Sequence, residues 1–204
     1  MNKKQCKVCI IDDDEAIRES LRLLLFADGL ASTTFDSADA FLEEGKCLDF
    51  DCMLLDVRMP GTDGLELFQI LNQQQMPYPV IFITGHGDIT LAVSAIKQGA
   101  YDFLTKPFRE GELINRIHAA IEHHKSTREQ VHELHILRER VALCTPREHD
   151  VLRLLVRGLP NKGIAETLGI SPRTVEIHRA HVMEKMEADS LPALVRMVAS
   201  LDDN

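Results

Sequence analysis

The 204-residue chain lacks any apolar run approaching the roughly eighteen to twenty residues that a membrane-spanning helix requires, so no membrane partner is expected. No secretory leader is expected either. Lys3, Lys4 and Lys7 come first, but the apolar stretch among them stops at Asp12 and reads as a first strand. Five cysteines, an odd number, without such a leader imply reduced thiols and a cytoplasmic location. A cation excess is missing as well. Residues 1–124 carry 11 Lys or Arg against 20 Asp or Glu, residues 125–143 carry 4 against 3, and residues 144–204 carry 8 against 9. The net charge of −9 therefore belongs to the first part of the chain. It does not exclude nucleic acid contact by the remainder, but such contact must rest on locally placed cations. A hydrophobic content of 45% is enough for the cores of one large or two modest domains.

Two apparent metal motifs carry little. Cys6 and Cys9 have C-x-x-C spacing, but positions three apart on a strand point to opposite faces and cannot easily chelate or cross-link. His123 and His124, like His132 and His135, have no cysteine or carboxylate at ligand spacing and are expected on solvated helix faces.

What is present is a set of polar residues at the ends of apolar runs. Val8 to Ile11 ends at Asp12-Asp13, Cys52 to Leu55 at Asp56, and Val80 to Ile83 at Thr84; Tyr101 to Thr105 leads to Lys106-Pro107. Short continuous runs with β-branched members predict buried parallel strands. Between them lie helical spacings: Ile17, Leu21, Leu24 and Leu25; Ile89, Val93 and Ile96; Leu113, Ile117, Ala120 and Ile121. Strand and helix alternate about five times, which predicts a doubly wound α/β sheet. Ligands of such sheets sit outside the carboxyl ends of the strands, where all these polar residues fall. Any one of the carboxylates alone would be a helix cap or a solvated loop residue. Three in one pocket repel unless a divalent cation or a phosphoryl group joins them. Asp13, Asp56 and a backbone carbonyl just after Asp56 could hold Mg²⁺ or Mn²⁺, Asp56 could then attack phosphorus, and Lys106 and Thr84 could receive the transferred oxygens.

The strings IIDDDEAIR, LLDVRMPGTDGLEL, VIFITGHGD and GAYDFLTKPF, in that order over residues 5–124, resemble the receiver domain of two-component response regulators. The resemblance implies a flavodoxin-like (βα)5 fold with a five-stranded parallel sheet. It implies that Asp56 is the phospho-acceptor, that Asp12, Asp13, Asp56 and the Arg58 carbonyl serve the metal, that Thr84 and Phe103 are switch residues, and that Lys106 senses the phosphate. A cis peptide between Lys106 and Pro107 is implied too, and Arg58 and His86 flank the pocket where water enters.

From His124 to Arg140 the sequence is polar and free of Gly and Pro. Val131, Leu134, Leu137 and Val141 make a narrow stripe, so residues 125–143 are expected as a helical linker that pairs with a second copy or rests on a domain. Residues 144–204 give explicit helix signals. Thr145-Pro146-Arg147-Glu148 is a capping box with proline at the first helical position, on a helix ending at Gly158. Asn161 is expected to cap a second helix carrying Ile164, Ala165 and Leu168 and stopped by Gly169. Ser171-Pro172 opens a third that runs to about Met186, and Ser190 precedes a fourth with Leu191, Leu194, Val195 and Val198 on one face. The second and third make a helix-turn-helix whose second member would enter the major groove. On it Val175, Val182 and Met186 are inward; Arg173, Ile177 and Ala180 lie opposite; Glu176 and Lys185 flank them. Arg173, Thr174, Glu176 and Ile177 suit base-edge contact, while Lys162, Arg179, His181 and Lys185 suit phosphates, with His178 structural.

CTPREHDVLRLLVRGLPNKGIAETLGIS and PRTVEIHRAHVMEKM resemble the LuxR-type four-helix DNA-binding domain, and, together with the receiver, nearly the whole chain apart from the linker resembles the FixJ-like regulators of that group. Many LuxR-type domains have lysine where this chain has Glu176, and a basic residue at Ala180, so their base contacts do not carry over directly. The resemblance implies phosphorylation of Asp56 by a sensor histidine kinase, homodimerisation, release of the DNA-binding domain onto double-stranded promoter DNA, and contact with RNA polymerase. Its only expected chemistry is phosphoryl acceptance and self-dephosphorylation. Two alternatives stay open. A Mg²⁺-dependent phosphohydrolase of the haloacid-dehalogenase kind wants an aspartate two residues after the nucleophile, where this chain has Arg58. A constitutive regulator that uses its receiver only for docking would not need the acidic set.

Overall fold

The computed structural model describes residues 6–45, 48–74, 76, 78–85 and 89–202, with the backbone alone at 89, 90, 92, 93 and 202. The expectations for Lys3, Lys4 and His86, and for the side chains of Ile89 and Val93, lie outside the described residues. The chain divides into two compact units, Met1–Thr127 and Arg128–Asn204.

In the first unit β1 (Lys7–Ile11), β2 (Ala31–Phe35), β3 (Cys52–Asp56), β4 (Val80–Thr84) and β5 (Asp102–Thr105) form one parallel sheet in the order β2-β1-β3-β4-β5. The sheet is flanked by α1 (Glu15–Ala27), a short α2 (Ala38–Ala40) that widens into a π turn over Phe41–Gly45, α3 (Gly64–Gln73), α4 (Ile89–Lys97) and the start of α5 (Glu110–Ala142). The central strands β3 and β4 are buried along their whole length because helices cover both faces of the sheet. Alternate residues feed separate cores. Cys9, Ile11, Met53, Leu55 and Phe82 pack on one side with Phe41, Leu67 and Phe68. Val8, Ile10, Leu54, Ile81 and Ile83 pack on the other with Leu21, Leu25, Leu113 and Ile117. Cys6 and Cys9 accordingly join opposite cores, and the four described cysteines form no disulfide.

One strand lies outside the apolar runs, and two expectations change. The run ASTTF, which carries no strong apolar signal, is β2 at the sheet edge, where its main chain pairs with β1. Ile96 is not on the inner stripe of α4 but 45% exposed, and Ala95 is buried in its stead. His124 is 3% exposed rather than solvated, because the inner stripe of α5 (Leu113, Ile117, Ala120, Ile121) runs one turn further than its apolar residues.

The second unit takes the end of α5 with α6 (Pro146–Val156), α7 (Asn161–Leu168), α8 (Pro172–Lys185) and α9 (Leu191–Asp202). The Thr145 capping box forms as expected, and Gly169 ends α7 in the left-handed region at φ 65°. Asn161 is the first residue of α7, not its cap. Pro160 occupies the cap position without a side-chain bond, and Asn161 Oδ1 accepts from Arg179 instead. The core joins Val151, Leu152, Leu155, Ile164, Val175, Val182, Met186 and Leu194; along α9, Met197 packs against it and Val195 does not. In the linker stripe Leu137 and Val141 rest on this core, whereas Val131 is exposed. No described helix is long and apolar enough to cross a membrane.

Candidate functional site

The strand order reverses between β1 and β3, so the carboxyl ends of these two strands frame a cleft. Asp12 and Asp13 follow β1, and Asp56 is the last residue of β3. One carboxylate oxygen from each lies within 4.8 Å of the others. Asp12 is 2% and Asp56 9% exposed, while Asp13 is open to solvent. Lys106 bridges the acids from the loop after β5: its Nζ is 2.7 Å from Asp12 and 3.7 Å from Asp56. The Lys106-Pro107 peptide is cis, and the Lys106 N–H donates to the Thr84 carbonyl at 2.6 Å. Thr84, at the end of β4, is 3% exposed. The five residues singled out at strand ends thus meet at one rim.

Local bonds fix the acids in place. The Asp14 N–H donates to Asp12 Oδ1 at 3.0 Å, Arg18 Nη1 donates to the Asp12 carbonyl at 2.8 Å, and the Val57 N–H donates to Asp56 Oδ1 at 3.0 Å. Burial is the largest influence on Asp56 and pushes its carboxyl up from 3.8 to about 6. Lys106 and the Val57 N–H pull it down, and Asp12 and Asp13 push it further up. Asp56 is therefore a carboxylate whose charge is poorly tolerated without an added cation. The cluster offers oxygen only, which suits a hard divalent cation such as Mg²⁺. Arg58 lies exposed two residues past Asp56, and Phe103 packs, half-buried, against one core of the sheet.

Gly64, the first residue of α3, is a requirement of the site that the strand-end pattern does not single out. A Cβ built there would stand 2.0 Å from the Asp56 carbonyl oxygen, and the Gly64 N–H donates to the Val57 carbonyl at 3.0 Å. Only glycine lets the α3 backbone lie against the end of β3. The signal was available in the GTDGLEL string, where glycine follows the capping aspartate at a position otherwise suited to any helix former.

The second unit offers a different surface. On α8, Val175, Val182 and Met186 are fully buried; Arg173, Glu176, Ile177 and Ala180 are exposed, Ile177 at 47%. Ser171 caps the helix through the Thr174 N–H, which places Arg173, Thr174, Glu176 and Ile177 in its first two turns. Arg173 and Glu176 pair at 3.2 Å on the solvent side. Lys162 is exposed on α7. The other side chains assigned to phosphates are engaged internally. Arg179 holds Asn161, and Lys185 donates at 2.6 Å to Glu148 and at 3.0 Å to the Leu143 carbonyl. His181 lies 3.4 Å from Glu148. Glu148 is 3% exposed, and its pKa is pushed down to about 2, chiefly by Lys185 and then by the Thr145 N–H. The capping box found Glu148 as a local bond; its pairing with a lysine 37 residues away had no local signal.

Comparison with known proteins agrees with this division. Residues 8–118 match the response regulator receiver domain family, and residues 142–198 match the bacterial regulatory proteins of the luxR family. The transcriptional regulatory protein FixJ of Azorhizobium caulinodans is 50% identical over 201 residues, covering 96% of this chain and 95% of that protein. The response regulator protein TodT of Pseudomonas putida is 41% identical over 204 residues, covering 100% and 90%. Among solved structures, the response regulator StyR superposes with a TM-score of 0.85 at 40% identity, covering 96% of this chain and 98% of that one. Full-length FixJ from B. japonicum superposes with a TM-score of 0.63 at 44% identity, covering 99% and 100%.

Proposed function

The chain belongs to the two-component transcriptional regulators that join a receiver domain to a LuxR-type DNA-binding domain, and from that membership we propose that phosphoryl transfer to Asp56 controls promoter binding by α8. The family implies a histidine kinase and DNA as partners. The observation that carries the assignment to Asp56 is the convergence of three carboxylates and one lysine at the reversal point of the sheet, with Asp56 the buried acid whose charge is least compensated.

A divalent cation, Mg²⁺ or Mn²⁺, would be held by Asp13, Asp56 and the Arg58 carbonyl, with Asp12 beside them, and would neutralise charge on the phosphoryl oxygens. The chain's own residues do the rest. An Asp56 oxygen attacks phosphorus, the bond from phosphorus to the kinase histidine nitrogen breaks, and an acyl phosphate remains on Asp56. Lys106 turns from Asp12 toward the new oxygens, and the Thr84 hydroxyl donates to one of them. Phe103 then moves into the space that Thr84 leaves. The face formed by α4, β5 and α5 is remodelled, favouring a homodimer that frees the DNA-binding unit and presents it to promoter DNA and RNA polymerase. A switch from about 1% to 99% active needs about 5.5 kcal/mol of differential stabilisation, within reach of several charge-assisted hydrogen bonds and a new interface. On DNA, Arg173, Thr174, Glu176 and Ile177 face base edges, and Lys162, Arg179, His181 and Lys185 stand near phosphates, Arg179 and Lys185 after giving up internal partners. Beyond phosphoryl acceptance and self-dephosphorylation we assign no enzymatic activity, and the working compartment is the cytoplasm.

Acetyl phosphate with Mg²⁺ should add about 80 Da, one phosphoryl group, to the intact mass of the wild type and nothing to Asp56→Asn. DNA protection at fixed salt should strengthen with the adduct and not in the variant. Turnover of acetyl phosphate without an adduct would favour a hydrolase, and no reaction at all would favour a receiver used only for docking.

A further inference from the structure

Besides the acidic cleft, one other set of ligand-type side chains converges among the described residues: Glu148 of α6 with His178 and His181 of α8. The two histidines are three positions apart, on one face of the helix. One donor atom from each of the three residues lies within 4.8 Å of the others. His178 Nδ1 is buried and has no hydrogen-bond partner among the described residues, a condition that folded proteins rarely leave without a reason. His181 Nδ1 stands 3.4 Å from Glu148 Oε1. Two ligands about 2.1 Å from one tetrahedral ion are about 3.4 Å apart. The other oxygen of Glu148, Oε2, takes Lys185 at 2.6 Å and the Thr145 N–H at 2.8 Å, so the carboxylate is held charged with its free edge toward the imidazoles.

We propose that Glu148, His178 and His181 form a site for one transition-metal dication of the zinc class, with three protein ligands and a fourth position for water. Two imidazoles and one carboxylate select zinc, nickel or copper over magnesium, which distinguishes this site from the all-oxygen cleft of the receiver. Lys185 opposes a dication on the same carboxylate, but it already shares its ammonium with the Leu143 carbonyl at 3.0 Å and can turn to that acceptor. The bound ion ties α6 to α8, the helix that carries Arg173, Glu176 and Ile177. The acidic set of the receiver plays no part in it.

The test uses the tag-free full chain, stripped with chelator, in an Asp13→Asn/Asp56→Asn background that disables the receiver cleft. Calorimetric titration with Zn²⁺ near neutral pH should give one ion per chain, and Co²⁺ should give the intense visible bands of a tetrahedral site. Adding His181→Asn, at a side chain 52% exposed, should weaken Zn²⁺ binding by at least about tenfold while leaving the circular-dichroism melt of the metal-free protein unchanged. His178→Gln should weaken it likewise. No stoichiometric binding in the double-variant background, or binding equally tight with His181→Asn, would overturn the proposal.

Discussion

Asp56→Asn should make the metal-free receiver more stable, although it removes the residue on which the proposed chemistry depends. Burial with Asp12 and Asp13 nearby raises the Asp56 pKa from 3.8 to about 6. A carboxyl raised in the folded state is penalised once it is deprotonated. The cost is absent below about pH 4, where the acid is protonated in both states, grows as pH rises toward 6, and is complete above that. Each pKa unit is worth about 1.4 kcal/mol, which bounds the penalty at about 3 kcal/mol. The charge is shared with Lys106 and with water at the cleft mouth, so about 1–2 kcal/mol is the expected gain at pH 8. Asparagine keeps the oxygen that accepts the Val57 N–H at 3.0 Å, and Lys106 keeps Asp12 at 2.7 Å, so little else is lost. Thermal unfolding followed by circular dichroism, suitable for a chain with no tryptophan, should show the variant melting several degrees higher in chelator at pH 8 and together with the wild type at pH 4. Mg²⁺ at tenfold its dissociation constant should stabilise the wild type by about 1.4 kcal/mol and close the gap. A variant less stable than the wild type in chelator at pH 8, or a gain independent of pH, would refute the claim that uncompensated charge at Asp56 is what the cleft stores.

Further expectations follow from individual contacts. Gly64→Ala should cost the receiver about 2–4 kcal/mol in denaturant unfolding and slow acetyl-phosphate labelling of Asp56, because the new Cβ meets the Asp56 carbonyl; an unaltered midpoint would contradict this. Glu148→Gln should destabilise the second unit by about 1–2 kcal/mol at neutral pH, because the Lys185 ammonium then keeps only neutral acceptors, the Leu143 carbonyl and the new amide oxygen. Because the Glu148 pKa is lowered, its contribution is full above about 4.5 and fades as pH falls toward 2, so wild type and variant should converge in acid. Ile177→Ala and Arg173→Ala, both on the exposed face of α8, should weaken promoter binding in gel shifts by about 1–3 kcal/mol each with the melt unchanged.

The sequence by itself determined most of the strands and helices, β2, α2 and α3 excepted, and which polar residues stand at their ends, because those features are local. The continuous apolar runs Val8–Ile11 and Val80–Ile83, the Thr145-Pro146-Arg147-Glu148 cap and the Gly169 stop each depend on neighbours a few residues away. That Asp12, Asp13, Asp56, Thr84 and Lys106 would meet was also legible, since a parallel sheet gathers all its carboxyl ends at one rim. Only the tertiary structure decided matters in which the partner is far along the chain. ASTTF is a strand because β1 offers it a ladder, not because its own side chains are apolar. His124 is buried because α5 lies on the sheet one turn beyond its last apolar residue. Lys185 faces Glu148 rather than solvent because the packing of α6 on α8 brings an acid and a base 37 residues apart to 2.6 Å. Gly64 is needed because α3 starts against the backbone of β3. Periodicity encodes which face of an element is apolar, but the distance between two faces, and therefore who touches whom across them, is set by side-chain volumes that only close packing resolves.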